Sequence, residues 1–159
     1  MTTAAPPRAS GENAQTALVE SLNALLADCF ALYLKTKNFH WHVRGSGFRE
    51  LHLLFDEQAT EIFALTDIIA ERVRKNGAPT LTSIGAIGAR SRIADQDDAG
   101  LAPAAMIAEL LADNRTLIAA LREAKAAAGA AGDNATEGAA DDWTDQAEQR
   151  AWFLGQLLA

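Results

Sequence analysis

Leu18, Leu22, Leu25, Cys29, Leu32, Thr36 and Phe39 recur at steps of three and four, the period of a helix packed along one face. The pattern predicts a first helix over about residues 13–42. Arg44-Gly-Ser-Gly47 then interrupts it, as glycines in a turn do, and a second helical run goes from about Phe48 to Asn76, stopped by Gly77 and Pro79. Two long helices joined by so short a turn pack antiparallel and make the first hairpin of a bundle.

Beyond that hairpin the pattern changes. Residues 77–100 mix glycine, threonine and small apolar residues with room for one short helix. A connection this long fits a crossover between two consecutive helices that run parallel. Its acidic stretch DQDDAG has the acids of a calcium loop, but Met106 stands where the closing Glu belongs, so a solvated turn is expected. A third helix follows over about 102–128, with Met106, Leu110, Leu117 and Leu121 on its core face. An Ala/Gly-rich link at 126–140 then leads to a fourth helix over about 141–158, anchored by Trp143, Trp152, Phe153 and Leu157. No strand alternation, phosphate loop, GxSxG elbow or CxxC pair interrupts this reading. The expected fold is all-α: a flexible tail over 1–12, then one four-helix domain over 13–159 with a long crossover between helices 2 and 3.

Composition narrows the function classes. At 159 residues there is enough chain for one core. The net charge of −7 and the pI near 4.9 weigh against nucleic acid as a default partner. A lone Cys29 in an apolar stretch cannot make an internal disulfide, and the start, MTTAAPPRASGEN, carries no apolar core of a secretory signal, so a cytoplasmic protein is expected. No run of eighteen apolar residues is present, and no membrane span is expected. Residues 129–159 hold six acids (Asp133, Glu137, Asp141, Asp142, Asp145, Glu148) against Arg150, a negative surface suited to cations or to a helix start.

The candidate chemistry lies in residues 40–71: His40, then His52 with Asp56, then Asp67 with Glu71. The last two pairs are spaced i,i+4, so each presents two donors on one helical face. Imidazole with carboxylate suits iron, manganese or zinc. Taken singly, a helical His or acid is usually structural or solvated; as a spaced set beside Leu53, Leu54, Phe55, Ile68 and Ile69 they point to a metal. Asp56 and Asp67 are eleven residues apart, about three turns, so all four helix-2 donors share a stripe. Along the axis, however, eleven residues span roughly 16 Å, beyond the reach of one metal or a metal pair. The spans 52–71 and 56–67 have one midpoint, between Glu61 and Ile62. A two-fold axis there would set one chain's His52 and Asp56 beside Asp67 and Glu71 of the partner subunit. The Glu-x-x-His motif of a di-iron site inside a single bundle is absent, which also favours a centre between subunits.

HWHVRGSGFRELHLLFD at 40–56 and DIIAER at 67–72 resemble the ferroxidase signature of the Dps-like mini-ferritins, the DNA-protecting proteins of starved bacterial cells. His40-Trp41, Gly45, Phe48, His52, Asp56, Asp67, Ala70, Glu71 and Arg72 fall where that pattern has them. The resemblance implies a ferritin-like bundle in which His40, His52 and Asp56 of one subunit meet Asp67 and Glu71 of the partner subunit. It implies oxidation of ferrous iron, with hydrogen peroxide as oxidant, storage of ferric mineral, and a hollow homo-oligomer, a dodecamer of tetrahedral symmetry. Trp41 would intercept stray oxidising equivalents or simply pack; His42, two residues from His40, is turned away to the surface. Many members bind DNA through lysine-rich tails, whereas this tail offers only Arg8, so DNA binding does not carry over. Two other classes remain: a DNA-compacting shell, which steep salt dependence of DNA retention would favour, and a zinc-holding structural bundle, which zinc binding without iron turnover would favour.

Overall fold

The apolar stripe that opens the chain is fully buried: Leu18, Leu22, Leu25, Cys29, Leu32 and Phe39 have no solvent exposure, and they lie on α1 (Gly11–His42). Burying each such leucine contributes about 1.5–3 kcal/mol. The computed structural model describes residues 11–159; of the expected tail, residues 1–10 lie outside that range, while Gly11 and Glu12 already belong to α1. By length and composition α1 could cross a bilayer. Its apolar side chains instead form the core of the bundle, and its buried Asp28 and Lys35 are paired.

The hairpin forms as its glycines dictate. Gly45 and Gly47 sit at φ 93° and 75°, a left-handed backbone that costs a residue with a Cβ about 1–2 kcal/mol. α2 (Phe48–Lys75) returns antiparallel along α1, burying Leu51, Phe55, Ile62, Leu65, Ile69 and Val73. The crossover carries one short helix, α3 (Ile84–Arg90), and is strapped along α1. Asn23 Nδ2 donates to Pro79 O (3.3 Å), Arg92 N and Nε donate to the buried Asp28 carboxylate (2.6 and 2.9 Å), Lys35 Nζ donates to Ala94 O (3.0 Å) and Asn38 Nδ2 to Gln96 O (3.0 Å). These attachments climb α1 from residue 23 to 38, so α4 (Pro103–Ala131) begins at the end where α2 began. The two helices therefore run parallel, as the crossover length implied.

The expected link at 126–140 is not a link. α4 continues to Ala131, α5 (Asn134–Gln156) starts at once, and only Gly132-Asp133 separates them. Alanine is the best helix former, and one isolated glycine costs only about 1 kcal/mol, so Gly129 and Gly138 do not break the helices. Gly132, at φ 73°, ends α4 as the left-handed residue, with Asp133 N donating back to Ala128 O at 2.9 Å. Asp133 then caps α5 by accepting from Thr136 N at 3.0 Å. With this boundary moved, the described residues form an all-helical four-helix bundle plus the short α3.

Candidate metal centre

The α1–α2 turn brings the end of one helix against the start of the next, and two histidines interlock there. His40 Nδ1 donates to the His52 carbonyl at 2.6 Å, and His52 Nδ1 donates to the His40 carbonyl at 2.8 Å. The rings stack with centroids 3.8 Å apart and 14° between planes. The His40 carbonyl lies in the last turn of α1, where it lacks a helical partner, so His52 also satisfies an orphan acceptor. A carbonyl can only accept, so each Nδ1 carries a proton, and whenever a ring is neutral its lone pair is on Nε2. Carbonyls orient metal-binding imidazoles in the same way.

Asp56 follows one turn after His52. Its Oδ1 lies 3.9 Å from His40 Nε2 and accepts from Lys37 Nζ at 2.7 Å. That hydrogen bond and the Lys37 charge hold the Asp56 carboxyl below its ordinary pKa and keep it anionic. The structure thus stacks His40 on His52, sets Asp56 near the His40 ring, and adds Lys37, which sequence reasoning missed. The available signal was its position three residues before His40, on the same face of α1.

Asp67 and Glu71 stand exposed on the later half of α2, with Lys75 Nζ 3.9 Å from Glu71. They are not brought to the histidines: among the described residues no three His, Cys, Asp or Glu side chains of one chain are grouped to hold a metal. Of the expected apolar neighbours, Phe55 and Ile69 are buried in the core, Leu54 is half-buried, and Leu53 and Ile68 face outward. Leu53 precedes Asp56 by three residues and Phe63, 51 % exposed, precedes Asp67 by four, so the donor face of α2 is also an apolar face. Tyr33 of α1 extends it, its ring 4.9 Å from that of Phe63. His42 is exposed and folds back on Asn38.

A model of the ferritin-like domain matches residues 19–159. The DNA protection during starvation protein of Brevibacillus brevis is 32 % identical over 137 residues, 86 % of this chain and 91 % of that one. Among solved structures, Dps from Thermosynechococcus elongatus superposes with a TM-score of 0.91 at 26 % identity, covering 95 % of this chain and 96 % of the other. Dps from Bacillus brevis gives 0.88 at 31 %, over 92 % and 97 %. The chain belongs to the ferritin-like family, as a Dps-like mini-ferritin.

In this mini-ferritin the middle of the bundle, among the described residues, holds a buried side-chain cation. Arg150, counted in the sequence as a lone base in an acidic stretch, is 1 % exposed. Its Nε donates to Asn114 Oδ1 at 2.9 Å, its Nη1 to Glu61 Oε2 at 3.3 Å, and its backbone carbonyl accepts from Gln58 Nε2 at 3.4 Å. A buried guanidinium between α2, α4 and α5 repels a dication. The acidic surface of α5 is also less free than its composition implied, since Asp141 pairs with Lys125 and Glu148 with Arg122.

Arg72, part of the family signature, fixes the far half of α2. Its Nη2 donates to both Asp133 carboxylate oxygens (2.7 and 2.8 Å) and its Nε to Thr136 Oγ1 (2.7 Å). Asn76 Nδ2 adds a third donor to Asp133 at 2.8 Å. The residue after Glu71 is thereby clamped to the α4–α5 turn.

Proposed function

We propose that this mini-ferritin takes up ferrous iron at centres shared by two subunits, oxidises it, and stores the ferric product as mineral inside a closed homo-oligomer, by family resemblance a dodecamer. The observation that carries this reading is the interlocked His40–His52 pair, with His40 Nε2 3.9 Å from Asp56 Oδ1, on an apolar face left open in a single chain. Asp67 and Glu71 of the partner subunit complete the donor set, because a two-fold axis at the midpoint of 52–71 and 56–67 brings them there. Thr60 and Phe63 share that midpoint, so the exposed Phe63 rings would meet near the axis and be covered.

Iron is the substrate here, and the residues handle it accordingly. The carboxylates favour the harder ferric ion, while mixed imidazole and carboxylate ligation holds ferrous iron loosely enough to exchange. The carbonyl-anchored rings keep both Nε2 atoms aimed without rearrangement. With hydrogen peroxide as oxidant, two ferrous ions supply one electron each, and with two protons one peroxide becomes two waters, so no hydroxyl radical is released. The setting is the cytoplasm, where the role is protection from oxidative damage.

The test is anaerobic ferrous loading followed by peroxide or oxygen, watched at an iron-oxide absorption band. Wild-type protein should oxidise iron faster than buffer does, fastest with peroxide, and the His52→Ala variant should approach the buffer rate. Turnover no faster than buffer, with zinc bound tightly, would favour a structural zinc bundle instead.

A further inference from the structure

A small cavity of about 80 Å³ lies between α2 and α5. Leu54 and Phe153 give it apolar walls, Glu57 stands exposed beside it, and Gln58 and Arg150 are its most buried lining, 3 % and 1 % exposed. Neither of those two side chains is fully satisfied. Arg150 commits Nε to Asn114 and Nη1 to Glu61, and its Nη2 has no partner among the described residues. Gln58 turns Nε2 to the Arg150 carbonyl, which can only accept, so the amide has one orientation and its Oε1 is left without a donor. An unpaired donor and an unpaired acceptor, both buried, therefore line one cavity. Buried polar groups are nearly always paired, with protein or with an ordered molecule.

We infer that this cavity binds a small neutral hydroxylic molecule, hydrogen peroxide or a pair of waters, that accepts from Arg150 Nη2 and donates to Gln58 Oε1. Charge selects a neutral occupant: the guanidinium repels a metal ion, while Glu57 and Glu61 repel an anion. Volume selects a small one, since a water takes roughly 30 Å³ of liquid and the space suits about two oxygens. Water and peroxide carry O–H groups and lone pairs together, so either meets both orphans, which chloride or a bare metal ion cannot do. Leu54 and Glu57 flank Asp56 in the chain, so the cavity sits at the height of that candidate ligand on α2. Only the peroxide alternative rests on the ferroxidase reading, as a holding place for its oxidant.

The test is a pair of crystal structures of the iron-free assembled protein, one as grown and one soaked in hydrogen peroxide, with the Gln58→Met variant beside them. Methionine keeps the length of glutamine and removes the acceptor; Gln58→Leu serves if that variant fails to assemble. Wild type should show ordered oxygens within hydrogen-bond distance of both Arg150 Nη2 and Gln58 Oε1, and the variant should lose the oxygen at position 58. Two oxygens at hydrogen-bond separation in both crystals identify waters, a bonded pair after the soak identifies peroxide, and each supports the inference. An empty cavity, or Gln149 folded in to bond both atoms, overturns it, as does an occupant unchanged by loss of the Gln58 amide. Occupancy is read without iron, so the two readings fail separately. An occupied cavity in a protein that does not oxidise iron sinks only the ferroxidase reading, and an empty one in an active ferroxidase sinks only the inference.

Discussion

Replacing Asp133 separates what the α4–α5 turn contributes to stability from what it contributes to the iron site. The carboxylate accepts two hydrogen bonds from Arg72, one from Asn76 and two from Thr136, through its N and its Oγ1, and Gln15 Nε2 reaches the same cluster through Asn76 Oδ1 at 2.6 Å. Losing the cap costs about 1 kcal/mol. Leaving the half-buried Arg72 guanidinium without its charged acceptor costs about 1.5–3 kcal/mol more. Asp133→Ala should therefore cost about 3 kcal/mol, and Asp133→Asn, which keeps an oxygen for Thr136 N, about 2 kcal/mol. For a chain of this length each kcal/mol shifts Tm by about 2–4 °C, so melts should fall by about 9 °C and 6 °C. The assay is thermal unfolding at one fixed protomer concentration, since assembly adds its own stabilisation. Burial alone would raise the Asp133 pKa, but the hydrogen bonds from Arg72, Thr136 and Asn76 outweigh it and hold the carboxyl far below the ordinary carboxylate range. A depressed folded-state pKa contributes stability that is present above the unfolded value and lost as pH falls through the folded one. The advantage of wild type over Asp133→Asn should thus be constant from pH 7 to about 5 and shrink below about 4. Equal melts at pH 7, or an advantage that grows on acidification, would refute the reasoning. Because Arg72 adjoins Glu71, both variants should also slow iron oxidation at temperatures where they remain folded.

Phe63→Asp should place two carboxylates face to face near the proposed axis, so native mass measurement should find smaller species than for wild type; an unchanged assembly would remove Phe63 from the interface. Arg150→Ala should cost about 2–5 kcal/mol, because it opens a cavity and leaves the buried Asn114 Oδ1 without its donor, while Arg150→Met should cost less by filling the space; chemical denaturation of the two variants orders them, and equal costs would contradict the role given to packing. DNA should not be retained near neutral pH at physiological salt, since phosphate contacts need exposed cations and the chain carries −7; a clear gel shift under those conditions would overturn this.

The hairpin, the parallel α2 and α4, and the donors on α2 were legible because period and glycine placement carry them directly. The stretch at 126–140 was not, because alanine and glycine side chains mark no buried face; the decisive signal was Gly132 followed by Asp133 as a cap. Arg150 was misplaced because counting charge says nothing of burial, and its acceptors come from Asn114 and Glu61, distant in sequence. Of the proposed metal centre, the sequence offered the candidate ligands and not their support. The acceptors that set the histidine tautomers are backbone carbonyls, which every residue has, and Lys37 pairs with Asp56 across 19 residues. The acidic DQDDAG stretch does form a local turn, with Gly100 N donating to Asp98 Oδ1 at 2.8 Å.

The shared centre is tested most directly by mixing two inactive proteins. One variant lacks His52 and Asp56, the other lacks Asp67 and Glu71, and neither homodimer then holds a complete site. In a mixed dimer one site receives both defects and the other none, because each site draws one pair from each chain. Co-assembly should restore ferrous oxidation that both parents lack, at up to about half the wild-type rate per mixed dimer. If every ligand came from one chain, each site in the mixture would still carry a defect. No recovered activity in assemblies verified to be mixed would contradict the inter-subunit site.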